Sequence, residues 1–191
     1  MSTADPAPVF FSTERLRFRA FESSDLDALA SINASARVSR FVDDGQPLSR
    51  ADTARWISNS RANLARFGYG TGAVVLRRTN TLIGWAGFAR GSDPEDIADE
   101  EIIYGFDEPY WGQGFGLELV TALVDYGFET LSMPRLRATV YRANTASARI
   151  LTRLGFRCVE QDYDGEAGID LYVCTRPRLG RSQDSNGATI P

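Results

Sequence analysis

The chain has 191 residues, of which 43% are hydrophobic and 24% charged, and its net charge is −4. That size and composition predict one globular domain with a well-formed core, and the negative charge argues against nucleic acid as a partner. All 21 basic residues are arginine, and there is no histidine. A Ser-His-Asp or Cys-His hydrolase, a Walker phosphate loop and a lysine-dependent pyridoxal enzyme are therefore excluded.

No apolar run approaches the ~20 residues of a membrane span, and residues 1–11 lack the charged and apolar parts of a secretory signal. We therefore expect no membrane contact and a cytoplasmic location. Cys158 and Cys174 are too few for a zinc site, so no metal is expected. In a chain without an export signal, both cysteines are predicted to be reduced and packed.

The first half of the chain predicts a strand, two helices and a hairpin after a disordered segment at residues 1–12. The strand is RLRFRAF, Arg15–Phe21, in which apolar side chains alternate with arginines. Serine and aspartate caps begin a helix at Ser23–Ser35, and a second helix runs from Ser49 to the stop at Gly68. The strands GAVVLRR and TLIGWAGFAR then form a hairpin that turns at Thr79-Asn80.

The second half predicts a crossover between parallel strands, because a strand, a glycine-rich turn, a helix and another strand follow one another. The hairpins on both sides make the sheet mixed. The fold class is therefore α/β with one core over residues 13–176, followed by a disordered tail at residues 177–191. The predicted elements are a strand at Glu101–Phe106, a helix after the glycines, a strand at Met133–Tyr141, a helix over 143–156, and strands near Arg157–Gln161 and Ile169–Thr175.

One segment is strongly acidic. SDPEDIADEE, Ser92–Glu101, carries six carboxylates in ten residues and no base. It is either a solvated loop or a negative rim that attracts a cationic substrate.

Three glycines, Gly112, Gly114 and Gly116, stand at alternate positions between a strand and a helix. Free N–H groups at a helix start converge on one point, and the helix dipole adds about half a positive charge, so such a turn binds anions. Taken alone, the glycines mark either a tight corner or a diphosphate cradle, in which side chains would block access to the main chain.

The neighbouring residues are more specific. EIIYGFDEPYWGQGFGLE resembles the central motif of the GNAT acetyltransferases of the RimJ/RimL-like branch, in which an E-I-G-Y strand and a D-P-x-Y stretch precede W-G-x-G-x-A/G and a helix. RANTASARILTRLGF resembles that branch's segment that begins N-x-x-S and ends G-F. The resemblance spans about Arg15–Arg176. It implies the GNAT fold, with a mixed twisted sheet of about seven strands, a splayed central parallel pair and about four flanking helices.

The resemblance also implies acetyl-coenzyme A as the co-substrate and no metal. In the family, a strand bulge opens a gap for the pantetheine, here between Phe106-Asp107 and Arg137–Tyr141. Gly105 departs from the branch's larger residues, which either widens the thioester slot or marks the bulge. Arg142 and Arg149 are candidates to pair with the phosphates. The implied cofactor-binding residues are Phe106, Asp107, Trp111, Gly112, Gln113, Gly114, Phe115, Gly116 and Asn144.

The implied reaction is direct attack of a primary amine on the thioester, with no covalent enzyme intermediate. Deprotonating a lysine-like amine at pH 7 costs about 4.6 kcal/mol, against about 1.4 kcal/mol for an α-amine. Glu101, at the position of the branch's strand glutamate, is the candidate general base, with Glu100 as the alternative. Ser147 matches the motif serine and either donates a proton to the departing thiolate or only packs. Asn144 also suits the N-cap of its helix.

Several alternatives stay open. The acceptor is either a protein N-terminal α-amine or a small cationic amine, such as a polyamine, an aminoglycoside or an amino acid. Trp85 is either a core residue or part of the acceptor groove. A dinucleotide-binding turn is disfavoured by the G-x-G-x-G spacing and by the missing acid after the next strand. A non-catalytic module that binds the coenzyme or a peptide is the other class, and both a monomer and a homodimer fit the sequence.

Overall fold

The computed structural model describes residues 7–89 and 100–176 of the chain. Within them, eight strands form one sheet: β1 (Val9–Ser12), β2 (Leu16–Arg19), β3 (Thr71–Leu76), β4 (Leu82–Ala89), β5 (Glu101–Phe106), β6 (Arg135–Tyr141), β7 (Arg157–Glu160) and β8 (Ile169–Thr175). Their order is β1-β2-β3-β4-β5-β6-β8-β7. Among these eight strands, β5 and β6 are the only neighbours that pair in parallel, and all other neighbours pair antiparallel. The predicted mixed sheet with a central parallel pair is confirmed.

Five α-helices accompany the sheet in the described ranges: α1 (Leu26–Asn33), α2 (Ala36–Ser39), α3 (Arg50–Phe67), α4 (Phe115–Asp125) and α5 (Thr145–Arg153). The second predicted helix is confirmed at both ends. Ser49 caps α3 by accepting a hydrogen bond of 3.1 Å from the Asp52 N–H, and Gly68 ends it with φ of +79°. The four-residue α2 was not predicted, and five helices replace the four expected.

β1 contradicts the prediction that residues 1–12 are disordered. Val9–Ser12 pairs antiparallel with β2. The rings of Phe10 and Phe11 lie 4.7 and 5.1 Å from that of Phe18, so burial of two aromatic side chains holds this strand on the sheet. β1 is the strand beyond the seven predicted. The tail at 177–191 lies outside the described residues.

The sheet has a core on each face. On one face, Leu119 and Leu123 of α4 and Leu151 of α5 pack against strand residues such as Ala86 and Phe88. On the other, Leu29 of α1 and Ile57 of α3 pack against a smaller cluster on β3 and β4. We call these the α4/α5 face and the α1/α3 face. Within α4, Leu119 is fully buried, whereas Leu117 is only half-buried.

Both cysteines are free thiols. Cys174 on β8 is half-buried, and burial raises the pKa of its thiol. Cys158 on β7 is exposed, so the prediction that both are packed is wrong for Cys158, which lies on the outermost strand. In the parts of the chain that the structure describes, no helix is both long and apolar enough to cross a membrane.

Candidate active site

The site lies where β5 and β6 separate. β5 pairs with β4 along its whole length, from Glu101 to Phe106, but with β6 only at Glu101↔Arg137. The N–H of Asp107 bonds to the Ile83 carbonyl on β4 at 2.8 Å. Because alternate residues of a strand bond to opposite neighbours, the main-chain groups of Tyr104 and Phe106 point into the gap on the β6 side. The expected bulge is absent from the β4–β5 ladder, and the strands splay without it.

Where the β5–β6 ladder ends, the carboxylate of Glu101 replaces a strand carbonyl as the hydrogen-bond acceptor for β6. The Arg137 N–H still bonds to the Glu100 carbonyl at 3.2 Å. Two residues further along β6, the Thr139 N–H bonds instead to Oε1 of Glu101 at 2.7 Å, and the Thr139 hydroxyl donates to the same oxygen. One side chain thus satisfies the first N–H that the splay leaves without a strand partner. Glu100, the alternative base, is fully buried and accepts a hydrogen bond of 2.5 Å from the Tyr69 hydroxyl.

Ser147 and Tyr104 face each other across the gap. Ser147 lies in the first turn of α5, where Asn144 caps the helix by accepting a hydrogen bond of 3.2 Å from the Ser147 N–H. The hydroxyls of Tyr104 and Ser147 share a hydrogen bond of 2.8 Å. Burial raises the pKa of Tyr104, and the bond with Ser147 opposes that shift without cancelling it. Tyr104 therefore keeps its proton at neutral pH.

In the glycine turn between β5 and α4, two residues have backbone conformations that only glycine adopts easily. Gly112 has φ of +71° and Gly114, the N-cap of α4, has φ of +80°. No atom lies within 4 Å of the position that a Cβ would take at Gly112, so the turn is open there. The third glycine has a different reason, because a Cβ at Gly116 would lie 3.0 Å from Cδ1 of Ile150. Gly116 lets α4 approach α5.

The side chains around the turn bond to the protein itself. The indole N–H of Trp111 donates to the Phe106 carbonyl at 2.7 Å, and Gln113 donates to the Pro109 carbonyl at 2.7 Å. Asp107 caps a short turn by accepting from the Glu108 N–H at 2.9 Å. Phe115 is buried, and its ring stacks 6.4 Å from that of Phe106. Trp111, Gln113 and Asp107 are thus each held in place by main-chain groups of the same segment.

Trp85 explains the small residue at position 105. A Cβ at Gly105 would lie 2.8 Å from two carbon atoms of the Trp85 indole, so the glycine makes room for that ring, and the pairing with β4 is regular there. The Trp85 N–H finds no hydrogen-bond acceptor among the described residues. Its ring meets Trp56 edge to face at 4.9 Å, a favourable arrangement for two indoles.

A cavity of about 790 Å³ passes through the sheet at the gap. On the α1/α3 face it is lined by Trp56 and Trp85, and on the α4/α5 face by Ser147 and Leu151. Glu101 lies between the two ends. The cavity therefore joins the two faces of the sheet beside the only paired residues of β5 and β6.

The α1/α3 end of the cavity is bordered by the loop between α2 and α3. Asp43, Asp44 and Asp52 line this end, and Arg55 pairs with Asp52. The Tyr141 hydroxyl donates to the Asp43 carbonyl at 2.6 Å, which ties the loop to the end of β6. Of the acidic segment, which the sequence left as either a solvated loop or a negative rim, residues 92–99 lie outside the described residues.

Arg142 does not face the turn as a free cation. It pairs with Asp162 at 3.0 Å and with Asp170 at 2.6 Å, and these carboxylates raise its pKa. Two carboxylates thus already compensate its charge, and its role beside the phosphates stays a prediction. Among residues 7–89 and 100–176, no three His, Cys, Asp or Glu side chains cluster in a way that could hold a metal ion.

The sequence prediction missed Thr139 and Tyr104 as site residues. Both alternate along their strands in the manner of ordinary β-residues, and the only available signal was that their strands flank the predicted gap. It also missed Arg15 and Glu118, whose contact with the glycine turn joins segments about a hundred residues apart.

Residues 15–157 match the acetyltransferase (GNAT) domain. The chain belongs to the GNAT acetyltransferase family. It is 30% identical over 166 residues to the N-acetyltransferase p20 of Bacillus licheniformis, covering 84% of this chain and 92% of that protein. It is an acyltransferase of the N-acetyltransferase type, and GNAT acetyltransferases use acetyl-coenzyme A.

Solved structures agree with this membership. An acetyltransferase from Agrobacterium tumefaciens superposes with a TM-score of 0.75 at 26% identity, over 92% of this chain and 99% of that one. RimL, a ribosomal L7/L12 alpha-N-protein acetyltransferase solved with coenzyme A, superposes with a TM-score of 0.71 at 21% identity, over 88% of this chain and 98% of its own. The likeness to RimL concerns the fold.

Proposed function

We propose that this enzyme acetylates the N-terminal α-amine of a protein or peptide. The observation that carries the proposal is the cavity that crosses the sheet, because it lets a donor on the α4/α5 face and an acceptor on the α1/α3 face meet beside Glu101 and Ser147. A reaction between two bound molecules needs such a shared compartment, in which both are held close and aligned.

The residues on the donor side fit acetyl-coenzyme A. The open turn at Gly112, the positive φ of Gly114 and the N-terminus of α4 would hold the diphosphate through main-chain N–H groups. The free N–H of Phe106 and the main-chain groups of Tyr104 face the gap in which the extended arm would lie. When bound, the coenzyme supplies an acetyl group activated as a thioester.

The acceptor side favours an amine with a low pKa. Oε1 of Glu101 already accepts two hydrogen bonds from Thr139, which leaves Oε2 as the oxygen that faces an acceptor amine or a water. An α-amine needs only about 1.4 kcal/mol to lose its proton at pH 7, against about 4.6 kcal/mol for a lysine amine. At the same end Asp52 is neutralised by Arg55, and the carboxylates of Asp43 and Asp44 attract a cation.

The chain's own groups then have separate tasks. Glu101 accepts the proton of the acceptor amine, directly or through water. The Ser147 hydroxyl, bonded to Tyr104, donates a hydrogen bond or a proton where the thiolate departs, and the raised pKa of Tyr104 keeps the pair protonated. These roles rest on the position of the two groups on either side of one gap.

A small cationic amine is the second candidate acceptor. A cavity of about 790 Å³ lies within the range of roughly 300–1,000 Å³ that holds small molecules. One relative, 24% identical over 168 residues, is named FsC-acetyl coenzyme A-N(2)-transacetylase, from Aspergillus fumigatus.

An acceptor comparison tests the proposal. Thiol release from acetyl-coenzyme A would be measured with a free N-terminal peptide, with the same peptide blocked at its N-terminus but carrying one lysine, and with spermidine. We expect turnover with the free N-terminus and at least about tenfold less with the blocked peptide, in line with the difference in amine pKa. Equal or faster turnover with spermidine would replace the peptide acceptor by the small amine.

A further inference from the structure

The back of the glycine turn is held by an arginine from the other end of the chain. Arg15, immediately before β2, donates from Nη1 to the Gln113 carbonyl at 2.9 Å. Its Nε donates to Oε2 of Glu118 at 2.6 Å, and its guanidinium lies 4.3 Å from the centre of the Phe115 ring. One planar side chain thus touches the turn and the first residues of α4 together.

Glu118 is itself fixed from the same side. Its Oε1 accepts hydrogen bonds from the Arg15 N–H at 2.8 Å and from the Thr13 hydroxyl at 2.5 Å. Burial raises the pKa of Glu118, but the hydrogen bonds from Thr13 and Arg15 outweigh it, so the pKa lies below its usual value. The carboxylate therefore stays charged and holds the guanidinium in one orientation.

The position of Arg15 decides where the Gly114 N–H points. In a trans peptide the C=O and the following N–H point in opposite directions. Because the Gln113 carbonyl points to the Arg15 guanidinium, the Gly114 N–H points to the opposite side of the turn. Gly112 and Gly114 have no side chains to restrain this peptide, so the loss of Arg15 removes the side-chain hydrogen bond that holds its carbonyl.

We propose that Arg15 is a positioning residue for the coenzyme, which orients the Gly114 amide toward the diphosphate without touching it. The inference rests on the proposed donor side of the function. A positioning role differs from a general stabilising role in one respect. Removing Arg15 should weaken the binding of ligands that carry a diphosphate and leave the binding of ligands that lack it unchanged.

The test compares acetyl-coenzyme A with S-acetylpantetheine, which has the same acyl group and arm but no diphosphate. For Arg15→Ala we expect KM for acetyl-coenzyme A to rise at least about tenfold, as the loss of one charge-assisted hydrogen bond implies. The KM for S-acetylpantetheine should change less than about twofold, and kcat at saturation should stay close to that of the wild type. Arg17→Ala is the matched control, since the Arg17 side chain makes, among the residues that the structure describes, only a 3.4 Å hydrogen bond with Asn80.

A second variant covers the case in which Arg15→Ala does not fold. Arg15→Lys keeps the charge but lacks the planar fork that reaches Glu118 and Gln113 together, so we expect it to show most of the same selective loss. Full recovery by lysine, an equal loss for both donors, or unchanged KM values would each overturn the positioning role. Wild-type protein that shows no calorimetric binding of coenzyme A would overturn the proposed function instead.

Discussion

The two edges of β5 differ in nearly every respect. Along β4 the strand keeps six paired residues, so closely packed that a Cβ at Gly84 would lie 2.2 Å from the Gly105 carbonyl oxygen. Along β6 it keeps one pair, and beyond that pair the Glu101 carboxylate replaces the ladder. The same strand thus contributes to stability on one edge and leaves main-chain groups of Tyr104 and Phe106 facing the gap on the other. An edge that gives up its ladder bonds becomes available for binding.

We call the β4 side of β5 the closed edge and its β6 side the open edge. A substitution on the closed edge should have the largest effect on stability. Gly84→Ala places a methyl group against the Gly105 carbonyl, and we expect a loss of about 3 kcal/mol in the free energy of unfolding, at the upper end for overpacking. Gly112→Ala is the matched control, because it meets no atom within 4 Å and costs only the strain of positive φ, about 1 kcal/mol. Urea unfolding measures both, and equal losses would show that the closed edge is not tightly packed.

On the open edge the largest effect should be kinetic. For Glu101→Gln we expect kcat at pH 7 to fall by about 10²-fold, as the loss of a general base implies, and the defect to shrink above pH 8 as an α-amine loses its own proton. Thr139→Val is the control, because it removes one hydrogen bond to Glu101 but keeps the carboxylate. A Gln variant as active as wild type at pH 7 would remove Glu101 from the reaction.

Substitutions in the Tyr104–Ser147 pair, also on the open edge, should lower kcat by a smaller factor. Tyr104→Phe and Ser147→Ala each break the same 2.8 Å hydrogen bond, so we expect each to lower kcat about fivefold, which corresponds to one hydrogen bond. The double variant should be no slower than either single variant, since the two groups act together. If instead the fall in kcat of the double variant equals the product of the two single falls, the hydroxyls act independently.

The smallest effect concerns the helix beside the open edge. The lowered pKa of Glu118 means that its contribution to stability is complete above its usual pKa of about 4.3 and is lost as the pH falls through the lower value in the folded protein. Glu118→Gln should cost under about 1 kcal/mol at pH 7. The difference between the two proteins in urea should begin to shrink below about pH 4 and should vanish only below the folded-state pKa of Glu118. A constant difference down to pH 3 would contradict the shift.

Much of the architecture was predictable because its signals are local. Ser49 and Gly68 mark the ends of α3, and Asn144 caps α5 as its position suggested. β1 was not predictable in this way, because its four residues are held by Phe10 and Phe11 packing on a distant strand. For short segments, tertiary contacts outweigh local preference.

The candidate site was predicted in part. The glycine turn, Glu101 and Ser147 could be named because the family resemblance marks them, and the structure brings Glu101 and Ser147 to one cavity. The reasons for individual residues were not visible in the sequence. Gly116 and Gly105 make room for Ile150 and Trp85, and such contacts depend on the packing of elements that lie far apart in the chain.

The bond between Tyr141 and the Asp43 carbonyl joins β6 to the loop that borders the α1/α3 end of the cavity. Thr139, which bonds to Glu101, lies on the same strand two residues earlier. A molecule that pushes β6 outward from within the gap therefore also shifts the entrance used by its reaction partner. Because such coupling acts equally in both directions, each substrate is expected to change the affinity for the other, whichever of them binds first.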